Sequence, residues 1–237
     1  MAAPGEALTA IVLDNGTQNV KAGFGGEDAP RVELPNVVGR PRHPGVNGVV
    51  LGHTKDNFIG NEAVSSRGLL EQSSPVVRGT ITNWQDMQEV WQSVLFDGLM
   101  VACEEHPLLI TETPDTSRAD REKMAQIMFE VFNCPALVVG NSSVLSLFAT
   151  GRSTGVVVDS GAGRTHVGPV WEGYSLPHFV RRIDHGGKDM TDYVKQLLRT
   201  EGYPFSTPAD DEHARAIKEE LCYVCESADK ELAYSKE

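Results

Sequence analysis

With 237 residues, 21 lysines and arginines against 33 aspartates and glutamates, and a formal charge of −12, the chain is long enough to bury a sizeable core without disulfide or metal staples. The acidic balance excludes direct nucleic-acid binding, which rests on a basic excess, and points instead to basic protein surfaces as partners. Four cysteines sit in no secretory framework, the N-terminal residues lack a charged and then apolar leader, and nowhere do about eighteen apolar residues run together, so a reduced, soluble, cytosolic or nuclear protein with no membrane span is expected.

The opening run Ala10-Ile11-Val12-Leu13-Asp14-Asn15-Gly16 reads as a buried strand closed by a tight turn, because Asn and Gly tolerate positive φ. Val20 to Gly26 is the return strand. From Pro35 to about Gly60 the sequence is too polar and broken for core and reads as an outer lobe or binding loop. A helix is predicted from its N-cap Asn83, with Met87, Trp91, Val94 and Leu95 on one face as core. A strand from Pro107 to Thr111 follows, then a helix from about Ser117 with a stripe of Met124, Ile127, Met128 and Val131 that ends near Asn133. Ala136 to Val139 is a further strand and Ser143 to Thr150 a short helix.

Gly155-Val156-Val157-Val158-Asp159-Ser160-Gly161 then repeats the opening pattern, so two matched half-domains are expected, with Asp14 and Asp159 meeting across one cleft beside turn amides suited to a phosphate chain and its Mg²⁺. Val167 to Trp171 and Ser175 to Ile183 read as strands, and Lys188 to Thr200 as a helix closed by Gly202. A last long helix from about Ala209 carries Ile217, Leu221 and Val224, with Asp210-Asp211-Glu212 favoured by the dipole at its start. Cys222 and Cys225 form a C-x-x-C on that helix, without the second pair or histidine spacing of a zinc site, and read as helical cysteines; neither zinc nor haem is expected. Strands alternating with helices predict an α/β sheet protein.

The stretches Asp14-Asn15-Gly16, Val20-Lys21-Ala22-Gly23-Phe24, Val38-Gly39-Arg40-Pro41-Arg42-His43, Thr82-Asn83-Trp84, Glu104-Glu105-His106-Pro107, Arg121-Glu122-Lys123-Met124, Val144-Leu145-Ser146-Leu147 and Ile217-Lys218-Glu219, in one order along nearly the whole chain, resemble actin and the actin-related proteins. That resemblance implies the duplicated actin-like ATPase fold (ribonuclease H-like), with the second lobe incomplete. It divides the chain into a first lobe at 1–36 and 74–150, a small outer subdomain at 37–73, part of the second lobe at 151–186 and part of a fourth subdomain at 187–237.

The resemblance also implies a site. The nucleotide contacts are Asp14, Asn15, Gly16, Thr17, Gln18 and Lys21 in the first turn, Asp159, Gly161, Ala162, Gly163 and Arg164 in the second, and Gly187, Arg215, Lys218 and Glu219 around the ribose and adenine. Asp14 and Asp159 hold Mg²⁺ through water. Three positions depart from the family: Gln18 and Ala162 replace a Gly and an Asp of the two turns, and Ser142 replaces the Gln that positions the attacking water. A serine is too short for that task, and positioning supplies most of phosphoryl-transfer catalysis. His166 matches the family's catalytic histidine, or is only a buried structural one. Arg164 leaves two readings open, a direct phosphate ligand or a solvent-facing loop arginine.

The expectation is an actin-like cytoskeletal subunit of a filament or larger assembly, binding ATP or ADP with Mg²⁺ weakly and hydrolysing it slowly or not at all. The alternative is an active, polymerising actin-type ATPase. A sugar-kinase-like phosphotransferase on the same fold finds no substrate pocket residues. Implied partners are actin-like subunits or a cytoskeletal, ciliary or chromatin complex, in the cytoplasm, cytoskeleton, cilium or nucleus. The loop from His43 to about Asn57 aligns with the family's subunit-contacting loop.

Overall fold

The computed structural model describes residues 9–42, 57–205 and 207–227, together with 229, 231 and 233; the loop expected from His43 to Asn57 lies, but for Asn57, outside them. Its elements divide into two compact units, Met1–Gly187 and Lys188–Glu237.

In the first unit, strands β1 (Ile11–Asn15), β2 (Asn19–Phe24) and β3 (Val32–Pro35) form an antiparallel meander. Their alternation explains it: Ile11, Leu13, Val20 and Ala22 are buried, whereas Lys21 between two of them is exposed. The chain then builds β4 (Val38–Pro41), β5 (Phe58–Ile59), α1 (Asn61–Ser65) and β6 (Leu70–Ser73), in which β4 pairs with both β5 and β6. The expectation that nothing between Pro35 and Gly60 is core is corrected here. Val38 and Phe58 are buried, and Phe58, Ala63 and Leu70 form a small core of their own.

A short hairpin, β7 (Val76–Val77) and β8 (Thr80–Ile81), leads into α2 (Trp84–Gln92), whose first turn is capped by Asn83 Oδ1 accepting from Asp86 N at 3.1 Å. Ser93–Gly98 continues α2 as a π-helical segment, which brings the consecutive Val94 and Leu95 both into the core. Strand β9 (Leu108–Glu112), helix α3 (Arg118–Glu130), strand β10 (Leu137–Asn141) and helix α4 (Ser142–Ala149) follow. Parallel pairing of β9 with β1 and with β10 completes a five-stranded sheet in the order β10-β9-β1-β2-β3. Met87, Val90 and Trp91 of α2 and Met124, Ile127 and Met128 of α3 belong to the same core as Ile11, Leu13 and Ile110. Each such side chain contributes about 1.5–3 kcal/mol on burial, so this sheet and its helices set the stability of the unit.

Strands β11 (Gly155–Ser160), β12 (Thr165–Trp171), β13 (Tyr174–Ser175) and β14 (Arg181–Ile183) make the second sheet, with β12 pairing with each of the other three. Two expectations change. The single strand from Ser175 to Ile183 is broken into β13, a 3₁₀ turn Pro177–Phe179 and β14, because Pro177 has no N–H for a ladder. The apolar run of β11 is not buried on both faces: Val156 and Val158 are 67% and 66% exposed.

The second unit carries α5, which begins at the unit boundary (Gly187–Thr200), and α6 (Pro208–Leu221), the latter opened by a reciprocal Thr207–Asp210 capping box. Gly202 follows α5 with φ +92°. Helix α6 stops earlier than expected: Cys222 is its extended C-cap, Val224 beyond it is 98% exposed, and Cys222 and Cys225 are therefore exposed coil residues rather than helical ones. Among the described residues no helix is long and apolar enough to cross a membrane.

Candidate functional site

The two Asp-turns are duplicates in register as well as in sequence. In the first hairpin Asp14 stands opposite Lys21 and Asn15 opposite Val20; in the second Asp159 stands opposite His166 and Ser160 opposite Thr165. Neither turn uses the positive φ expected of it, since Asn15, Gly16 and Gly161 all lie outside that region. Glycine is needed at position 16 for space: a Cβ there would collide with the Asn19 carbonyl oxygen.

Three residues that the sequence did not assign to the site fix the first turn: Thr111, Asn36 and Trp91, the last expected only as core. Thr111, at the end of neighbouring β9, donates from its hydroxyl to Asp14 Oδ1 at 2.5 Å and accepts from Asn15 N at 3.1 Å. Trp91 Nε1 donates to Asn15 Oδ1 at 2.9 Å. Buried Asn36 donates from Nδ2 to the Gly16 carbonyl at 2.8 Å and from its backbone to the Gln18 carbonyl at 2.7 Å. Lys21 lies 3.7 Å from Glu33 with both side chains about half exposed, a pairing that contributes under about 1 kcal/mol and leaves the ammonium adaptable.

In the second turn, Gly161 N donates to the Arg164 carbonyl at 3.0 Å, and Thr165 Oγ1, beside Ser160 Oγ at 2.8 Å, donates to the His185 carbonyl, also at 2.8 Å. Gly187 N, at the end of the first unit, donates to the Gly161 carbonyl at 2.9 Å. His166 is 5% exposed. Its Nε2 is 3.4 Å from Asp159 Oδ2 without hydrogen-bond alignment, and neither ring nitrogen has a partner. Burial pulls the imidazole pKa below its ordinary value; Arg164 adds to that and the Asp159 carboxylate opposes it. The ring is neutral at physiological pH, with an acceptor nitrogen to offer.

The turns converge. A Cβ on Gly163 would lie 2.7 Å from Thr17 Oγ1 and 2.9 Å from Arg78 Cα, and Gly79 N donates to Thr17 Oγ1 at 3.0 Å. Arg164 obeys neither of its two sequence readings. It is 4% exposed and forked onto Asp115, Nη1 to Oδ2 at 2.8 Å and Nη2 to Oδ1 at 2.6 Å. A buried guanidinium needs a carboxylate, and Asp115 supplies it, so the side chain turns away from both solvent and any phosphate between the turns. Burial lowers the Arg164 pKa from its usual value, partly offset by Asp115. Burial by itself would raise the Asp115 carboxyl, but the Arg164 charge and an Arg182 bond at 3.1 Å hold it below the ordinary range.

The family profile described as Actin matches residues 5–237, and an actin-like protein of Neurospora crassa is 48% identical over 223 residues, 93% of this chain and 58% of that protein. The chain belongs to the actin family. It spans 58% of the length of the curated relative it matches. Actin-family proteins generally bind ATP or ADP with Mg²⁺. The chemistry on the two turns fits that group. Carboxylates at Asp14 and Asp159 and the turn amides beside them are hard oxygen and N–H groups of the kind that Mg²⁺ with its waters and a phosphate chain take.

The positions expected to depart from the family, and the expected ribose and adenine contacts, are placed as follows. Ser142 opens α4 just after the N-cap Asn141, and its hydroxyl is buried without a partner. The Ala162 carbonyl packs so closely on Gly186 that a Cβ there would be 2.6 Å away. In the second unit, Arg215 pairs with Glu212, Lys218 Nζ donates to Thr191 Oγ1 at 3.1 Å and sits 4.0 Å from Glu219, and Glu219 is exposed.

Proposed function

We propose that this chain is an actin-like structural subunit that binds ATP or ADP with Mg²⁺ at its twin turns and hydrolyses the nucleotide slowly or not at all. The observation that carries the reading is the pair of Asp-turns matched in register, and what supports slow hydrolysis is the short, buried and unpartnered Ser142 hydroxyl, where the resemblance implies a Gln to position the attacking water. Asp14 and Asp159 would order the metal's water shell, which supplies charge neutralisation to the phosphates when bound. The backbone amides of residues 16–18 and 162–164 would receive the phosphate oxygens, and Lys21 would add a point charge. The neutral His166 would accept a proton or a hydrogen bond at its free acceptor nitrogen.

Ala162, where the pattern has Asp, removes one carboxylate from the water shell and weakens Mg²⁺ retention. As a subunit the protein would assemble with actin-like chains or within a cytoskeletal, ciliary or chromatin complex, in the cytoplasm, cytoskeleton, cilium or nucleus. Two measurements test the reading. Millimolar Mg·ATP should raise the melting temperature, because a ligand of the folded state alone stabilises it. Single-turnover hydrolysis should be slow and should rise in Ser142→Gln/Ala162→Asp. An unaltered rate already equal to that of the double variant favours the active ATPase instead.

A further inference from the structure

Arg164 ends in a circuit of contacts between segments far apart in sequence. Its guanidinium is forked onto Asp115 in the 113–117 loop that follows β9, in the first lobe's sheet. The same Asp115 Oδ2 accepts from Arg182 Nη1 at 3.1 Å, and Arg182 Nε donates to Asp184 at 2.6 Å. Arg78, at the tip of the β7–β8 hairpin, donates to the Asp184 carbonyl at 2.6 Å and reaches the Gly163 carbonyl at 3.5 Å. Its neighbour Gly79 lies flat on Arg164, where a Cβ would be 2.7 Å from Nε, and donates its N–H to Thr17 of the first turn. Five chain segments thus close a ring around the two turns: 16–18, 78–79, 113–117, 161–164 and 181–184.

The ring has a chemical asymmetry. Gly79 joins it through its N–H to Thr17, and Arg182 pairs with Asp115 and Asp184 at a half-exposed edge, whereas Arg164, itself buried, makes a bidentate pair with Asp115. Two parallel N–H···O bonds fix direction as well as distance, and truncating Asp115 strands the Arg164 charge, which is 4% exposed. Turns that separate to release a nucleotide must first part this pair. A lysine at position 164 would keep the charge and lose the fork.

We propose that Arg164 is a positioning residue for the second phosphate turn, bolting it through Asp115 to the first lobe and thereby setting the rate at which bound nucleotide leaves. The inference rests on the nucleotide-site reading above. Arg164 acts on the phosphates through the backbone of its own turn rather than by touching them.

The test is stopped-flow release of a fluorescent ATP analogue, chased with excess unlabelled ATP, from the unaltered chain and from Asp115→Asn, Arg164→Gln and Arg164→Lys. Release should accelerate about tenfold or more in Asp115→Asn and Arg164→Gln, for the loss of one charge-assisted bidentate pair. Arg164→Lys should fall between these and the unaltered chain, a partial rescue that packing alone does not give. Asp86→Asn, which weakens a different buried ion pair, should lower the melting temperature and leave release unchanged. Release unmoved in Asp115→Asn, or moved equally in Asp86→Asn, overturns the inference while leaving the nucleotide site standing. No binding by the unaltered chain sinks both. Should Asp115→Asn not fold, the comparison of Arg164→Lys with Arg164→Gln decides alone, equal release rates in the two counting against the bolt.

Discussion

Asp86 is the sharpest place to test how the small outer sheet is tied to the first lobe. It sits in the first turn of α2 at 1% exposure and accepts from Arg40 of β4 at 3.2 and 2.6 Å and from Ser73 of β6 at 2.7 Å. Asp86→Ala therefore removes three bonds between the helix and two strands of the β4–β6 sheet. Two are charge-assisted, worth about 1.5–3 kcal/mol each at full burial, but Arg40 is 39% exposed and recovers much of its solvation. Adding about 1 kcal/mol for the stranded Ser73 hydroxyl, the loss is about 2–4 kcal/mol, a fall of roughly 5–15 °C in melting temperature for a chain of this size.

The sign of the pH dependence separates the pair from mere packing. Burial raises the Asp86 pKa, yet the bonds from Arg40 and Ser73 together with the Arg40 charge bring it below the ordinary value. The stability it contributes is then fully present above about pH 4, the unfolded carboxyl range, and is lost as pH falls through the lower folded value. In Arg40→Ala the burial remains without its cation, so the Asp86 pKa rises and the variant loses stability as pH climbs above about 4, the opposite slope. Thermal melts of both variants and the double variant between pH 3.5 and 8 read this directly. A single-variant loss under about 1 °C for Asp86→Ala, or parallel pH slopes in Arg40→Ala and the parent, would refute the reasoning.

Thiol titration should show two classes at pH 8: Cys222 and Cys225, both exposed, react at once, whereas buried Cys103, whose thiol burial pushes up to about 11, and buried Cys134, raised by the same cause, react only on unfolding. Gly16→Ala should abolish the Mg·ATP-induced rise in melting temperature while leaving the fold's circular dichroism intact, because the added methyl must displace the Asn19 carbonyl and with it the phosphate-facing turn; a retained rise would show that the turn yields cheaply.

Most elements were legible because their residues speak locally. Asn83 and Ser117 announce helix starts, and both accept the expected capping bond, at 3.1 Å in each case. Met124, Ile127 and Met128 are buried together as their spacing implied, whereas Val131, expected on the same stripe, is the helix C-cap and 48% exposed. What failed to be legible depends on distant neighbours. Arg164 finds its carboxylate 49 residues away, in a loop whose sequence gives no sign that its acid partners a buried arginine. Asn36 and Thr111 are ordinary polar residues whose importance comes from lying beside the Gly16 turn in space. The helix expected to run through Cys222 ends at Leu221, since an apolar residue at helical spacing holds a helix only if something covers it, and nothing among the described residues covers Val224.

The matched register of the twin hairpins has one more consequence. Each acid faces, seven positions on, the residue directly across its own ladder, and that partner is a lysine in one copy and a histidine in the other. Duplication has therefore preserved the address of a countercharge while changing its kind. The first carboxylate has a formal cation across the strand, whereas the second faces an imidazole that burial keeps uncharged. The two hairpins are thus alike in backbone register and unlike in the side chain that stands across from the acid.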